Sequence, residues 1–362
     1  MKILLSSHGA GPYGAERVLL TLAVGLRDRG HDVVVEIPHE GPALDEAMRI
    51  EGVTVWHSRR PRLPRTVGEG VRYLLGALPA TIRLWSGMRR GEFDVVWVNS
   101  LFNPIAALAA RCAGLPIVWH LHERNLRGPA GVPTAWLVRL GSDITVAVSE
   151  FVAQTFAGVP GGGGRMEVLF APFRRFAPLE ARDPDGTFVV GYVGQFEPRK
   201  RVDDLVRAIA KVPGVRLLLV GDGKKRHVVE DLVVELGVGD RVEFAGFQSD
   251  VMAWYARMDC VVIPSRDEPC PLVAFESMAV GRPVIASRHG GHPEVLGEAA
   301  LFFPLGDVDA LAKQIDRLRN DTELRKSIRE WGLRRVASLS LEEWWDRVEN
   351  ILTSVARRGR AR

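Results

Sequence analysis

Short apolar, β-branched runs alternate with segments of helical periodicity along nearly the whole chain. Helical patterns cover residues 15–29, 202–212 and 272–280, among others. The runs predict strands at residues 2–6, 32–37, 53–56, 94–99, 116–120, 144–148, 167–169, 188–193, 216–220, 242–244, 260–263, 283–286 and 301–303. Because these strands are apolar on both faces and are joined by helices, we expect an α/β protein with doubly wound parallel sheets.

The alternation is interrupted by residues 177–187, which are rich in Pro, Gly and Asp. We therefore predict two Rossmann-like domains, at 1–176 and 177–340, and a final helix within 341–362 that docks back on the first domain through an apolar stripe. Ligands of parallel sheets bind beyond the carboxyl ends of the strands, where loops lead into helix N-termini. The expected site is accordingly the cleft between the two domains.

Composition narrows the class of protein. The chain has 362 residues, 46% hydrophobic and 25% charged, which is ordinary globular composition and excludes a disordered or collagen-like chain. Its three cysteines are widely spaced and include no C-x-x-C, so we expect no disulfide framework, no structural zinc site and a reducing, cytoplasmic compartment. No signal-peptide core and no apolar stretch of about 20 residues is present, so no membrane span is expected.

The formal net charge of +4 is unevenly distributed. Between Arg59 and Arg90 there are eight arginines and one acidic residue, Glu69, and the C-terminal tail adds four more arginines. The rest of the chain is therefore acidic, and we expect no nucleic-acid partner. Within the basic segment, apolar residues recur at helical spacing: Val67, Val71, Leu74, Leu75 and Leu78. Such a segment is able to lie peripherally on an anionic membrane surface; the alternative is an ordinary packed helix with solvated arginines.

A glycine-rich loop follows the first predicted strand. Gly9 to Gly14 fit G-x-G-x-x-G, and Glu36 lies 22 residues beyond Gly14, so an FAD- or NAD-dependent oxidoreductase is one hypothesis. Two details disfavour it. Two residues separate the strand from the first glycine, and Glu16 and its arginine neighbour put two charges in the first helical turn. Another anion-facing turn, or a plain turn, is the favoured interpretation.

Three loops of the second domain carry candidate ligand-binding residues. Arg199, Lys200 and a third cation stand before a predicted helix, after Gln195, and suit a diphosphate; the alternative is a solvated basic loop. Gly221 marks another strand end, where a bare turn is the alternative. Phe247 follows a strand and would suit a base pocket, with a core phenylalanine as the alternative.

The most informative feature is a pair of carboxylates eight residues apart, Glu268 and Glu276. Glu268 lies before a predicted helix and Glu276 lies more than a turn inside it, among residues that are apolar nearly all round. A carboxylate in that position needs hydrogen-bond donors, and sugar hydroxyls would supply them. The segment 290–294 follows the next strand and is expected to line the same cleft.

These motifs resemble one family. The Glu268-x7-Glu276 element and the stretch GRPVIASRHGGHPEV resemble the nucleotide-sugar half of retaining family-4 (group 1) glycosyltransferases of the GT-B fold. Gly14-Ala15-Glu16 resembles the glycine loop of that family, and PIVWHLHE its strand that ends in a histidine. The resemblance implies an acceptor-binding first domain and a second domain that binds a nucleotide-diphosphate-sugar. It also implies transfer to a glycan, lipid-linked or small-molecule acceptor, with no cofactor and no metal. A non-catalytic nucleotide-sugar-binding protein is the alternative.

The resemblance also assigns roles. Glu268 would bind hydroxyls of the donor sugar and Glu276 those of the ribose, and amides near Leu272 and Val273 would face the phosphates. Lys200 would neutralise the leaving diphosphate.

In the first domain, the resemblance implies that Gly14 lets the backbone approach the diphosphate and that His122 contacts the sugar near the reacting carbon. The neighbouring His120 is the alternative, and a structural role is favoured for it. The chain departs from the family at two positions: Gln195 stands where an arginine is usual, and Arg201 where a glycine is usual. Arg199 or Arg201 would compensate.

An Asp-x-Asp sequence at Asp307 resembles a metal motif of other glycosyltransferases. Its place after Pro-Leu-Gly favours a helix N-cap instead.

Overall fold

The computed structural model describes residues 1–11, 14–62, 67–126, 131–158, 165–172, 176–180 and 186–360. The chain divides into two compact units: unit 1 comprises Met1–Pro172 and Leu341–Arg362, and unit 2 comprises Phe173–Ser340. The sequence alone predicts the first boundary after residue 176 and places 341–362 in a segment of its own.

Unit 1 contains a seven-stranded sheet in the order β3-β2-β1-β4-β5-β6-β7, in which every described pair is parallel. Its strands are β1 (Lys2–Ser6), β2 (Asp32–Ile37), β3 (Thr54–His57), β4 (Val95–Asn99), β5 (Ile117–Leu121), β6 (Ile144–Ala147) and β7 (Met166–Val168). The central strands are buried on both faces, as Val96 and Trp97 of β4 are. The continuous apolar runs in the sequence therefore correspond to strands whose two faces are both buried.

Within the described residues of this unit, six α-helices connect these strands. They are α1 (Gly14–Asp28), α2 (Pro42–Met48), α3 (Val67–Gly91), α4 (Pro104–Cys112), α5 (Gly131–Gly141) and α6 (Glu150–Ala157). The strand order runs one way from β1 to β3 and the other way from β4 to β7. Since parallel crossovers are right-handed, α1 and α2 lie on one face of the sheet and α3 to α6 on the other.

Unit 2 contains a six-stranded parallel sheet in the order β10-β9-β8-β11-β12-β13. Its strands are β8 (Phe188–Val193), β9 (Val215–Val220), β10 (Val242–Gly246), β11 (Cys260–Ile263), β12 (Val284–Ser287) and β13 (Ala300–Phe303). Its helices are α7 (Val202–Lys211), α8 (Arg226–Glu235), α9 (Met252–Ala256), α10 (Leu272–Ala279), α11 (His292–Leu296), α12 (Val308–Asn320) and α13 (Thr322–Ala337), with 3₁₀ turns at Pro198–Lys200 and Gly239–Arg241. One buried core joins α7, α8 and α12 to the sheet.

The last helix, α14 (Leu341–Arg360), belongs to unit 1. Trp345 is 5% exposed and its indole lies over Gly25 of α1, where a Cβ would be 2.0 Å from the ring. The Trp344 indole N–H donates to the carbonyl of Phe170 at 2.7 Å. The apolar stripe of this helix therefore docks on the first sheet unit.

The predicted fold class is confirmed, and each predicted strand is present within two residues of its predicted ends. Asp307 caps α12, because its carboxylate accepts the Ala310 N–H at 2.8 Å, as predicted. The three cysteines are free thiols. No helix in the described parts of the chain is long and apolar enough to cross a membrane.

Candidate active site

Two cations and a carboxylate meet at the strand ends of unit 2. Lys200 Nζ lies 2.5 Å and Arg199 Nη1 3.1 Å from Glu268 Oε2; these three residues are called the carboxylate–cation cluster below. Burial acts to raise the pKa of Glu268, but Lys200 and Arg199 outweigh it and lower the pKa to about 2. The carboxylate is therefore ionised at any physiological pH.

The backbone around Glu268 is held by two glycines after β12. The Gly291 N–H donates to the Glu268 carbonyl at 2.8 Å. A Cβ on Gly290, whose φ is +66°, would lie 2.6 Å from that carbonyl oxygen, and one on Gly291 would lie 2.1 Å from the Pro269 oxygen. The glycines of the 290–294 segment thus pack against the Glu268 loop and fix its position. The neighbouring His292 is fully buried, and burial lowers its pKa to about 4.

The second carboxylate lies inside α10. Glu276 is 4% exposed, and the Tyr255 hydroxyl donates to its Oε2 at 3.1 Å. Tyr255 is fully buried on α9, and the sequence analysis missed it because nothing local links it to Glu276. Leu272 and Val273 form the first turn of α10, whose leading N–H groups have no acceptor within the helix. The leading amides of the helix therefore follow Glu268 closely in the chain, and a buried carboxylate lies one turn further along.

Three glycine positions bring neighbouring strand ends of unit 2 into contact. The Gly221 N–H donates to the Gly246 carbonyl at 2.8 Å. The φ of Gly221 is +135°, and a Cβ there would lie 1.9 Å from the Gly194 oxygen, so only glycine fits. Gln195, which follows Gly194 in the chain, is half-buried, and its carbonyl accepts a hydrogen bond from the Tyr192 hydroxyl. Phe247 is 68% exposed and is not a core residue.

The two arginines that flank Lys200 differ in direction. Arg199 reaches Glu268, whereas Arg201 pairs with Asp204 of α7 through Nε at 2.5 Å and Nη2 at 2.9 Å. Arg201 has φ +51° and ψ +43°, a left-handed conformation that glycine adopts without strain. This backbone conformation explains why a glycine is usual at position 201 in the family that the sequence resembles. The Arg201 side chain faces α7 and does not contact the carboxylate–cation cluster.

In unit 1, the glycine loop and the start of α1 contain a half-buried histidine, His8, and a buried acid, Glu16. Glu16 is 3% exposed, and burial raises its pKa to about 7. His8 Nε2 lies 3.7 Å from Glu16 Oε1, and burial, with Arg60 second, lowers the His8 pKa to about 4. Gly14 begins α1, and residues 12 and 13 before it lie outside the described part of the chain.

The acid of the nominal dinucleotide fingerprint has other partners. Glu36 is fully buried; it accepts hydrogen bonds from the hydroxyls of Ser6 and Ser58 and pairs with Arg60 at 3.0 Å. Arg60 also donates to Asn103 and is 9% exposed. Glu36 thus has a structural role instead of facing a ribose, and Arg60 is not a surface cation, which corrects its inclusion in the basic segment. Arg65 and the side chains of Val67 and Leu74 lie outside the described residues.

His122 follows β5 and is oriented by Asn99 at the end of β4. Its Nε2 lies 2.8 Å from Asn99 Oδ1, and Asn99 Nδ2 donates to the Ala15 carbonyl of α1 at 2.9 Å. Because the amide nitrogen of Asn99 donates to a carbonyl, the amide oxygen accepts a hydrogen bond from the Nε2–H of His122, which leaves His122 Nδ1 as an acceptor. The sequence analysis missed Asn99.

The histidines of this edge are neutral. The His120 and His122 rings lie 4.2 Å apart between centroids, and His120 also meets Trp97 edge-on at 5.2 Å. Burial lowers the pKa of His120 to about 3; burial and then His120 hold the pKa of His122 well below its usual value. Burial also raises the pKa of Glu123, although Ser100 and the Leu101 N–H donate to it. We call His8, Glu16, Asn99, His120 and His122 the histidine cluster.

Comparison with known proteins identifies the family. Residues 176–335 match the family model of glycosyl transferases group 1, and residues 12–169 match that of glycosyltransferase family 4. The lipopolysaccharide core biosynthesis glycosyltransferase LpsD of Rhizobium meliloti is 39% identical over 333 residues, 88% of each chain. A GDP-mannose-dependent alpha-mannosyltransferase of Mycobacterium tuberculosis is 30% identical over 350 residues, 88% of this chain and 89% of that one.

Solved structures share the fold. HepE of Anabaena, in complex with UDP, superposes with a TM-score of 0.81 and 24% identity, covering 98% of this chain and 100% of that one. Together with the two parallel-sheet units, these matches show that the chain belongs to the family-4, group 1 glycosyltransferases of the GT-B fold.

Proposed function

We propose that this glycosyltransferase moves a sugar, with retention of anomeric configuration, from a nucleotide-diphosphate-sugar to a glycan or lipid-linked acceptor in polysaccharide or glycolipid synthesis. The carboxylate–cation cluster at the N-terminus of α10 is the observation that carries the proposal. It combines charge for a diphosphate with a carboxylate for sugar hydroxyls. The relatives support the setting, since one is named for lipopolysaccharide core biosynthesis.

The chemical difficulty is the negative charge that develops on the diphosphate when its bond to the anomeric carbon breaks. Lys200, Arg199 and the leading amides of α10 supply fixed positive charge and dipole for that leaving group. Glu268 would accept hydrogen bonds from hydroxyls of the donor sugar, and Glu276, already bound by Tyr255, from the ribose. Gly221 and Phe247 would border the nucleotide.

On unit 1, His122 would contact the donor sugar and Gly14 would leave room for the diphosphate. Because burial keeps His122 neutral, its Nδ1 is able to accept a hydrogen bond from a sugar hydroxyl. For retention we propose front-side attack: the acceptor oxygen bonds to the anomeric carbon on the face that the diphosphate leaves. The hydroxyl proton passes to a diphosphate oxygen. This step needs no protein nucleophile, metal or cofactor.

A thermal-shift panel of UDP-, GDP- and ADP-sugars beside NAD and FAD tests the donor class. We expect one nucleotide-sugar to raise the melting temperature, by mass action on the folded state. HepE was solved with UDP and UDP-glucose, and the mannosyltransferase is named for GDP-mannose, so both bases belong in the panel. Stabilisation by NAD or FAD alone would refute the proposal. Nucleotide-sugar binding without transfer to any acceptor would support a non-catalytic binding protein.

A further inference from the structure

On one face of the unit 1 sheet, the neighbouring helices α3, α4 and α5 expose apolar side chains. α3 bears Val71, Leu75, Leu78 and Ile82, which are 57%, 74%, 68% and 52% exposed. On α5, Trp136 and Leu140 are 42% and 65% exposed. α4 packs between these two helices and adds Leu108, at 55%. Single exposed apolar residues are ordinary, but a set spread over three adjacent helices marks an interaction surface.

The geometry of α3 shows that this exposure is organised. At about 100° per residue, its four exposed apolar residues fall within an arc of about 60°. The buried residues Ala80, Leu84 and Met88 lie on the opposite side and face the core. α3 thus has two apolar stripes, of which the sheet covers one.

The charge of this face indicates the kind of partner that it fits. α3, α4 and α5 together carry six arginines, no lysine and one acidic residue, Glu69. Two of the arginines lie against exposed or half-buried indoles: Arg89 is 5.8 Å from the Trp85 ring and Arg139 is 5.3 Å from the Trp136 ring. Arginine beside tryptophan and leucine suits the boundary between lipid headgroups and acyl chains. A second copy of this chain on the same face would set arginines against arginines.

The other face of the same sheet provides an internal contrast. Among the described residues of α1, α2 and α14, only Met48 and Leu341 are large apolar residues that are exposed. α14 begins with two acids, Glu342 and Glu343, and ends in arginines, so this face carries charges of both signs. Apolar exposure and positive charge therefore coincide on one face only.

We propose that the face formed by α3, α4 and α5, here the arginine face, docks on an anionic lipid surface. Its apolar exposure continues to the strand ends that carry His122, because Phe102 and Leu126 follow β4 and β5 and are 41% and 44% exposed. A lipid-linked acceptor would then reach that edge from the bilayer. This use of the face rests on the proposed function; the docking itself does not.

Flotation of the full chain with lipid vesicles at physiological salt tests the proposal. We expect binding to phosphatidylcholine vesicles that contain phosphatidylglycerol to exceed binding to pure phosphatidylcholine by about tenfold or more, and to fall at high salt. The double variant Leu75→Glu/Leu78→Glu and the double variant Arg72→Glu/Arg83→Glu should each lose about tenfold or more of that binding. Val234→Glu and Arg207→Glu, at exposed positions of unit 2, are the matched controls.

Each variant is checked for an unchanged melting temperature and for stabilisation by the nucleotide-sugar. Absent binding to anionic vesicles, or wild-type binding by both double variants, would overturn the proposal. So would a lipid-free dimer that Leu75→Glu/Leu78→Glu dissociates, since the face would then bind a second copy. If the wild-type chain is stabilised by a nucleotide-sugar but does not bind anionic vesicles, only the docking proposal fails. If it binds the vesicles but is not stabilised by any nucleotide-sugar, the proposed function fails and the docking proposal stands.

Discussion

The two candidate regions of this protein treat ionisable groups in opposite ways. In the carboxylate–cation cluster of unit 2, burial of Glu268 is offset by two cations, and its pKa falls to about 2. In the histidine cluster of unit 1, burial prevails: the pKa of Glu16 rises to about 7 and that of His8 falls to about 4. Ion pairing thus keeps the acid of the first region charged, whereas burial in the second region favours the uncharged form of each group. The charged groups of the first region fit the proposed binding of a diphosphate there.

The largest effect should come from removing the charge of Glu268. Glu268→Gln keeps the size of the side chain and one acceptor oxygen, but it removes the negative charge that Lys200 and Arg199 contact. We expect kcat/KM for transfer to fall by about 100-fold or more, because a charge-assisted contact to the sugar is lost at the reacting centre. Steady-state kinetics with the donor identified by thermal shift would measure it.

Two variants control for that change. Glu197→Gln removes a nearby acid that pairs with Arg199 at 3.2 Å, and it should leave transfer nearly unchanged. Glu276→Gln should weaken nucleotide affinity, which Glu268→Gln should largely preserve. Full activity of Glu268→Gln would contradict its role.

A smaller effect should separate the two arginines of the β8–α7 loop. Arg199→Ala removes a cation that reaches Glu268, so we expect the donor KM to rise about tenfold, as for loss of a hydrogen bond to a charged group. Arg201→Gly is the matched control, because φ +51° suits glycine and the arginine pairs with Asp204. We expect its donor KM within about twofold of wild type. The opposite ranking would make Arg201 the compensating cation.

The sequence predicted the strands because burial on both faces leaves an uninterrupted apolar run, as in β4 and β8. It also located Glu268 and Lys200, since both follow strands whose carboxyl ends meet at one edge of the sheet. The contacts that it missed join elements distant in the chain. Tyr255 reaches Glu276 from another helix, and Asn99 links His122 to α1. Such contacts depend on which strands are neighbours, and no local pattern records that order.

Arg60 is the converse case. In the sequence it looks like one of eight surface arginines, yet the chain after β3 folds it onto Glu36. The same contact shows why the dinucleotide fingerprint is misleading here: its acid, Glu36, is already bound to Arg60 and to two serine hydroxyls. Charge counted along a chain thus overstated the surface cations by at least this residue.

One substitution should introduce a charge into the histidine cluster of unit 1. Asn99→Asp would place a carboxylate 2.8 Å from His122 Nε2 and raise the pKa of that histidine. In the wild type this pKa lies well below its usual value, so His122 does not titrate near neutrality. In the variant, protonation would set in as the pH falls through the raised pKa. We expect a new acid limb in the kcat profile, with activity recovering to within about fivefold of wild type at high pH.

Asn99→Ser is the comparison for that variant, because it loosens His122 without adding charge and should lower activity at every pH alike. A pH profile of Asn99→Asp parallel to that of Asn99→Ser would show that Asn99 only packs.

The smallest effect should follow from restoring charge at position 195. Gln195 lies two residues beyond β8, in the same loop as Arg199 and Lys200, and an arginine there would add a third cation to that loop. Because two cations are already present and the position is half-buried, a third should tighten binding only a few-fold. Titration of Gln195→Arg with the nucleoside diphosphate at two salt concentrations would measure the gain, which should shrink as salt rises. If the double variant Gln195→Arg/Arg199→Ala regains wild-type affinity, the two positions serve the same phosphate; if it stays as weak as Arg199→Ala, the charge at 199 acts through Glu268 instead.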